Sequence, residues 1–406
     1  MQKLKSNKDN KVAFFIPDHL KNQKNIELSI VVPAYNEKKT IAEFVEWCKQ
    51  GLKKINLTKK SEIIIVDSSN DGTDKIALKH GAKVVKTPLR GLGRAYLDSV
   101  EFIGGKYLIL GDADCTYDFR KLSDFYKKFK KGYEFIMGSR RKGYIEKGSM
   151  PKLHRYFGIP ITNFLLNFIY NSHFSDIHCG MRGVTLAAFK KMNLNSQKWD
   201  YASEMLIKAI RLNLKSTETP INFYNAINNR ESVHVREGWF SPWIAGLQNL
   251  NQMLIFGSDY IFKKISKFFI FSSSIYFLYV IFISNTFMSI NFHLHWSFIF
   301  FIILTIGTLF NSFSDIIKIS YSIALNKNLR FIKEKNKIYL RVLFFLVASI
   351  CLIIPLVTKY ISSDFELEID YFRSNLFILG IFSFFYSVVS FFELYFYLGI
   401  KKLIKR

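Results

Sequence analysis

Apolar and polar positions divide this chain into two parts of different character. Up to about residue 266 the apolar runs are short and charges interrupt them. Residues 28–33 are apolar and β-branched, which predicts a buried strand, and residues 39–52 place Ile41, Phe44, Val45 and Cys48 at helical spacing. The alternation continues with a strand at 62–67, a helix at 74–80, a strand at 82–86, a helix at 94–103 and a strand at 106–111. Such a pattern predicts an α/β domain, a mostly parallel sheet covered by helices, whose ligands bind at the carboxyl ends of the strands. The residues just past those ends, 33–37, 67–71 and 112–114, are therefore the first candidates for chemistry.

After residue 266 the character changes. Runs 268–290, 297–314, 342–358 and 376–392 carry no charge, and each is about the length needed to cross ~30 Å of hydrocarbon. This predicts an all-α domain of four transmembrane helices, with Glu393 closing the last run. The flanks are unequal. Lys263, Lys264 and Lys267 precede the first run, Lys318, Lys327, Arg330, Lys333, Lys335, Lys337 and Arg341 lie between the second and third, and Lys401, Lys402, Lys405 and Arg406 end the chain. Residues 291–296 have no Lys or Arg, and the loop after the third run holds Asp364, Glu366, Glu368 and Asp370. By the positive-inside rule both termini and the α/β domain are expected in the cytoplasm. The first 25 residues lack the apolar core of a signal peptide.

The formal charge of +25, from 57 basic and 32 acidic residues, fits either a nucleic acid or an anionic membrane surface. The membrane flanks absorb much of it, and no basic–aromatic array occurs elsewhere, so no nucleic-acid partner is expected. Cys48, Cys115, Cys179 and Cys351 form no Cys-x-x-Cys pair, which argues against a disulfide scaffold or structural zinc. Residues 152–170 carry Phe157, Ile161, Leu165, Phe168 and Ile169 beside His154 and Arg155, a pattern open to an amphipathic helix on the membrane or a core helix. Residues 238–256, with Trp239 and Trp243, are a second interfacial candidate.

Gly111-Asp112-Ala113-Asp114 directly follows a strand. Two carboxylates so spaced can converge on a hard divalent cation such as Mg²⁺ or Mn²⁺, which would neutralise a leaving diphosphate. Asp67-Ser68-Ser69-Asn70-Asp71-Gly72-Thr73 follows another strand, where carboxylates can accept from a base or ribose or cap the next helix. Gly91-Leu92-Gly93-Arg94 opens a helix and admits close backbone approach.

Together with Val31-Val32-Pro33-Ala34-Tyr35-Asn36-Glu37, these motifs resemble the family 2 glycosyltransferases over roughly residues 26–235. The segments Met137-Gly138-Ser139-Arg140, Gly148 to Arg155, Ser175-Asp176-Ile177-His178-Cys179-Gly180-Met181-Arg182 and Tyr201-Ala202-Ser203-Glu204 resemble its polyprenyl-phosphate and dolichol-phosphate sugar synthase branch. The resemblance implies a GT-A fold, a UDP- or GDP-linked sugar donor, a divalent metal on Asp112 and Asp114, and inversion at the sugar carbon. It implies donor contacts from Pro33, Tyr35, Asn36, Glu37, Asp67, Ser69, Asp71, Gly91, Gly93, Arg94, Asp112 and Ala113. Asp114, Arg140, Asp176 and Glu204 are the catalytic candidates. Arg140, Arg182, Arg230 and Arg236 are candidates for the acceptor phosphate, because Arg pairs with phosphate bidentately. For Asp176 and Glu204, orienting those arginines, binding sugar hydroxyls and forming buried ion pairs all stay open.

The expected order is an N-terminal arm (1–25), a GT-A domain (26–237), an interfacial segment (238–266), the four-helix membrane domain (267–400) and a basic tail (401–406). The expected activity is transfer of a hexose to a polyprenyl phosphate at the cytoplasmic leaflet, with a homo-oligomer among the expected partners. A glycolipid or polysaccharide acceptor, or an inactive membrane scaffold, is the alternative; the Gln-x-x-Arg-Trp motif of processive synthases is absent.

Overall fold

The computed structural model describes residues 2–7, 12–89, 91–198, 200–227, 247, 250–251, 253–284, 286–287, 290–291, 293–324, 331–362 and 371–404. It falls into two compact units, Met1–Phe256 and Gly257–Arg406.

The first unit is built on β1 (Gln2–Asn7), β2 (Val12–Ile16), β3 (Leu28–Ala34), α1 (Ile41–Lys54), β4 (Ser61–Asp67), α2 (Thr73–Lys79), β5 (Lys83–Lys86), α3 (Leu92–Ser99), β6 (Tyr107–Leu110), α4 (Ser123–Lys130), β7 (Phe135–Ile145), α5 (Ile159–Tyr170), β8 (Arg182–Thr185), α6 (Leu186–Met192), α7 (Tyr201–Arg211) and β9 (Ser216–Phe223). Among the described residues the strands make one sheet, in the order β1-β2-β5-β4-β3-β6-β8-β7-β9. Its centre, β5-β4-β3-β6, is parallel as the alternation predicts. The margins differ: β2 runs antiparallel on β5, and β8 antiparallel on β6 and β7, so the sheet is mixed.

The central strands are buried on both faces, which is why they read as continuous apolar runs rather than alternating ones. Pro33 lies past the last β3–β6 pair, Val31 with Leu110, so it stands where one side of the strand has no ladder partner. The N-terminal arm, which has no functional signature in sequence, extends the sheet. Val12 and Phe14 of β2 are buried, and the Phe14 ring stacks on Phe102 with centroids 4.8 Å apart. A π-turn, His154–Gly158, leads into α5.

The second unit holds α8 (Ser258–Phe282), a two-residue hairpin of β10 (Thr286–Phe287) and β11 (Ile290–Asn291), α9 (Leu294–Ala324), α10 (Phe331–Ser362) and α11 (Tyr371–Ile404). Each of the four helices is long and apolar enough to cross a membrane. The first starts at Ser258 rather than at the uncharged run. Lys263, Lys264 and Lys267 are good helix formers, so the charges do not interrupt it. The domain boundary thus falls ten residues before the expected position, and residues 258–266 belong to this helix.

Tyr276, Phe277, Leu304, Ile378, Phe382 and Tyr386 form the unit's core. Elsewhere Phe268, Phe282, Phe344 and Phe392 are exposed, and only 6% of the apolar window of α10 is buried within the structure. Apolar surface on that scale is what a bilayer covers. Four charged side chains join the helices near the chain end of α11: Lys263 Nζ meets Asp315 Oδ1 at 3.1 Å, Arg341 Nη2 meets Asp315 Oδ2 at 3.3 Å, and Arg341 Nη1 meets Glu393 Oε2 at 3.0 Å.

Candidate active site

The loops that leave β3 and β4 are stitched together. The Asn36 amide donates to Ser69 Oγ at 2.7 Å, the Glu37 amide to Thr73 Oγ1 at 3.1 Å and the Lys38 amide to Asp71 Oδ2 at 3.3 Å. Asn36 takes φ 56°, a left-handed turn that Asn tolerates better than most residues. Beside these loops lies an open cavity of about 650 Å³ lined by Tyr35, Asn36, Ser68, Asn70, Asp71, Lys86, Thr87, Pro88 and Leu89. It gathers three of the residues expected to meet the donor: Tyr35, Asn36 and Asp71.

The 86–89 segment belongs to none of the motifs above. The rule that selected the other strand ends would have found it, because it follows β5 at the same edge of the sheet. Lys86 is its centre. Its Nζ meets Asp67 Oδ2 at 2.5 Å and Asp74 Oδ2 at 3.6 Å, and donates to the Ser69 carbonyl. Asp67 lies beneath the cavity, fully buried, with Oδ1 accepting from Ser69 Oγ at 2.6 Å. Burial pushes its carboxyl above the usual range, and Lys86 and Ser69 pull it partly back. Asp71 behaves oppositely. Burial alone would raise it, but the hydroxyl and amide of Thr73 and the Lys38 amide hold it below the ordinary value. Pro33 sits within β3, and Glu37 is buried with Oε2 accepting from Thr40 Oγ1 at 2.9 Å, so both shape the loop.

At the end of β6, Asp112 and Asp114 stand on the loop that the strand projects from the sheet. Asp114 Oδ1 accepts from the Thr116 amide at 3.0 Å and from Thr116 Oγ1 at 2.6 Å, which fixes the carboxylate. Ala113 between them is buried. Gly180 comes against Asp112 so closely that a Cβ there would stand 2.8 Å from Oδ2. Among the described residues no group of three His, Cys, Asp or Glu converges on a metal position. A cation here would be held by two carboxylates and its other ligands, which suits Mg²⁺ or Mn²⁺ with water and phosphate and does not suit an all-protein cage.

The arginines face inward. Arg140 forms a forked pair with Asp176, Nε to Oδ2 and Nη2 to Oδ1 both at 2.7 Å, and its backbone amide also donates to Oδ2 at 2.9 Å. Arg182 donates to the carbonyls of Cys179 at 2.9 Å, Ile177 at 3.1 Å and Ala202 at 2.5 Å. Burial lowers the pKa of its guanidinium. Both side chains are buried, and both hold the 176–182 loop that presses Gly180 on Asp112. His178 of that loop is held neutral, its pKa lowered to about 3 by burial and then by Arg140, with Nε2 3.0 Å from Thr162 Oγ1. Arg230 and Arg236, with Arg90, His234, Trp239 and Trp243, lie outside the described residues.

Gly91, Gly93 and Arg94 pack against another stretch of the chain. Their neighbour is residues 195–197, to which the Arg94 amide donates at the Gln197 carbonyl, 3.0 Å away. Glu204 binds that same segment through its amides and pairs with Lys208 at 2.6 Å. Glu204 is thus brought to the Gly91 turn and not to Arg140.

Residues 29–192 match the family model of glycosyl transferase family 2. A low-salt glycan biosynthesis hexosyltransferase of Haloferax volcanii is 35% identical over 237 residues, 58% of this chain and 55% of that protein, so the chain spans little more than half of that relative's length. An uncharacterized protein of Methanocaldococcus jannaschii is 33% identical over 207 residues, 48% of this chain and 80% of its own. A dolichyl-phosphate hexose transferase of Haloferax volcanii is 28% identical over 206 residues, 48% and 82% of the two chains. Among solved structures, glucosyl-3-phosphoglycerate synthase from Mycobacterium tuberculosis, crystallised with Mn²⁺, UDP and phosphoglyceric acid, is 18% identical. The match covers 57% of this chain and 78% of that one with a TM-score of 0.43.

Proposed function

We propose, since the chain belongs to glycosyl transferase family 2, that it transfers a hexose from a UDP- or GDP-linked donor to a polyprenyl phosphate at the cytoplasmic leaflet, with inversion at the sugar carbon. The observation that carries this reading is the placement of the paired carboxylates Asp112 and Asp114 on the same sheet edge as the cavity beside Tyr35, Asn36 and Asp71. The names of the hexosyltransferase and dolichyl-phosphate relatives point the same way.

Asp112 and Asp114 would hold Mg²⁺ or Mn²⁺, which when bound offsets the charge of the leaving diphosphate. The cavity takes the nucleoside, with Asp71 and the Lys86 segment as its polar wall. The acceptor phosphate is already ionised at neutral pH and needs little from a general base. What it needs is neutralisation beside a second anion. Arg140 and Arg182 are committed to Asp176 and to backbone carbonyls, so we assign the acceptor phosphate to Arg230 and Arg236.

A lipid acceptor is supported by α5 and the turn before it. Leu153, Phe157, Ile161, Phe164 and Phe168 share one helical face and are exposed, Phe164 by 66%. Leu166, Ile169 and Tyr170 of the same helix are buried. A helix apolar on both faces, with Lys152 and Arg155 at its start, is suited to the headgroup boundary. The four apolar helices and the basic flanks support a topology with both termini in the cytoplasm.

The test is nucleotide release by the full chain in detergent with Mn²⁺, undecaprenyl phosphate and a panel of UDP- and GDP-sugars. Lipid-dependent release is expected, with Asp114→Ala lowering it by about 10²–10³-fold, the scale of losing a preorganised charge at a reacting phosphate. Release that ignores the lipid would move the reading to another acceptor. No release with any donor by folded protein would support the inactive scaffold.

A further inference from the structure

We propose that Glu204 is a positioning residue for the donor site, acting through residues 195–197 on the turn at Gly91–Arg94. The proposal rests on the donor-site reading above and concerns how that site is braced.

Glu204 lies in the first turns of α7 and is only 1% exposed. Its carboxylate accepts from the Asn195 amide at 3.0 and 3.1 Å and from the Ser196 amide at 2.8 Å, and pairs with Lys208 Nζ at 2.6 Å. Lys208 Nζ also donates to the Asn193 carbonyl at 2.5 Å. An anion whose oxygens are taken by two amides and an ammonium is poorly placed to accept a proton from a reacting group. It is well placed to fix a loop, because charge-assisted hydrogen bonds are the strong ones.

That loop fills the space two glycines leave. A Cβ at Gly91 would stand 2.4 Å from the Gln197 carbonyl oxygen, and one at Gly93 would stand 2.2 Å from the Ser196 carbonyl oxygen. Gly91 also takes φ 109°, which other residues rarely adopt. The glycines are thus explained by the 196–197 backbone, and the Gly91 turn is moulded on a segment that Glu204 holds. The contact continues to the cavity. Arg94 Nε is 2.8 Å from Asp98 Oδ1, Asp98 Oδ2 accepts from Thr87 Oγ1 at 2.6 Å, and Thr87 lines the cavity. The Thr87 amide donates to the Asp67 carbonyl at 3.0 Å.

The same helix braces the aspartate loop by a second route. Tyr201 stacks on Tyr96 with centroids 5.0 Å apart, and Tyr96 Oη donates to the Gly111 carbonyl at 3.0 Å, one residue before Asp112. Arg182, which holds the 176–182 loop, donates to the Ala202 carbonyl of this turn. The start of α7 therefore supports the Gly91 turn, Gly111 and the Gly180 loop together, and the carboxylate of Glu204 ties down the first of these.

The test uses the full chain in detergent with Glu204→Ala and Glu204→Gln. Amide hydrogen exchange reads the brace without any ligand, and binding of UDP or GDP with Mn²⁺ reads the donor site. Glu204→Ala is expected to speed exchange of the Arg94 amide as well as those of Asn195 and Ser196, by about tenfold. It is expected to weaken nucleotide binding by a similar factor, the scale of one charge-assisted hydrogen bond. Glu204→Gln, which keeps an acceptor oxygen, is expected to fall between it and the parent. The donor KM should rise more than kcat falls. Faster exchange confined to 195–196, with Arg94 unchanged, would overturn the proposal. So would a loss confined to kcat with nucleotide binding intact, which would return Glu204 to the reacting atoms. Should Glu204→Ala not fold, Glu204→Gln alone decides by the Arg94 amide. If the parent binds neither UDP nor GDP, the donor reading fails, while the Arg94 exchange still decides the brace.

Discussion

Asp176 in the α/β unit and Glu393 in the helical unit are both buried carboxylates paired with an arginine, but their surroundings differ. Asp176 takes the Arg140 guanidinium and also the Arg140 backbone amide. Glu393 takes Arg341 from a neighbouring helix, and Arg341 is shared with Asp315, which is shared in turn with Lys263. In the first unit buried charge also answers main-chain groups, in loops and where the β7–β9 register shifts between Ser139 and Tyr144, because buried amides and carbonyls need partners. In the second, helices satisfy their own backbone, so buried charge has only side chains to answer it. The first arrangement shapes a site. The second sets how four helices meet.

The largest test of this contrast replaces whole pairs. Removing one partner of a buried pair strands the other and typically costs about 3–5 kcal/mol, whereas replacing both by apolar groups of similar size is often neutral. Arg341→Met combined with Glu393→Leu is therefore expected to leave the melting of the helical unit within about 1 kcal/mol of the parent, although each single change destabilises it. Arg140→Met combined with Asp176→Leu is expected to stay destabilised by about 1–3 kcal/mol, because the Arg140 amide loses its acceptor in the interior. Denaturant unfolding followed by segment-resolved amide exchange reads the two units separately. Equal recovery in both double variants would erase the distinction.

The pH response of the α/β unit sharpens it with a smaller effect. His178 is held neutral, with its pKa lowered from 6.5 to about 3 by burial. A group whose folded pKa is depressed contributes stability that is fully present above the unfolded value and is lost as pH falls through the folded one. Below about pH 6.5 the unfolded chain takes up a proton that the folded chain refuses. The α/β unit should therefore lose up to about 1.4 kcal/mol per pH unit between pH 6.5 and 3 from this residue. His178→Gln, which can still bond Thr162, should flatten that slope in thermal melts taken across the window. An unchanged slope would mean that the histidine is not the group refusing the proton.

Much of this architecture is legible in local sequence, and what is not legible has a physical reason. The strands at Leu28–Ala34 and Ser61–Asp67 lie within a residue of their predicted bounds, because apolar β-branched runs and the turns that close them are local signals. The four apolar helices follow from length and the absence of charge. The aspartates at 112 and 114 are legible because they sit at a strand end. By contrast, Lys86 meets residues 12 to 19 positions away, Arg140 meets Asp176 across 36, and Gln197 packs on Gly91 more than 100 residues earlier in the chain. Nothing in a short window records such partners. The glycines at 91 and 93 show the limit best: their spacing suggests close backbone approach, and only the fold shows that the 196–197 backbone is one of their neighbours. Likewise Gln2–Asn7 and Val12–Ile16 are recognisable as strands only beside the sheet edge they extend.

The smallest effect is expected where the helical network meets its surroundings. Lys263 lies 3.1 Å from Asp315 Oδ1 and 2.7 Å from Asn311 Oδ1, but its side chain is 39% exposed. Partly exposed ion pairs are typically worth no more than about 1 kcal/mol. Asp315 keeps Arg341 when Lys263 is removed, so no carboxylate is stranded. Lys263→Met should thus shift the denaturant midpoint of the helical unit by an amount worth at most about 1 kcal/mol. Arg341→Met, which leaves Glu393 and Asp315 together without that cation, should shift it several times further. The order of the two shifts is what matters. If Lys263→Met costs as much as Arg341→Met, the network is stabilised by its summed charge and not by the side chain that links three helices, and the contrast with the loop-bound charges of the α/β unit loses its basis.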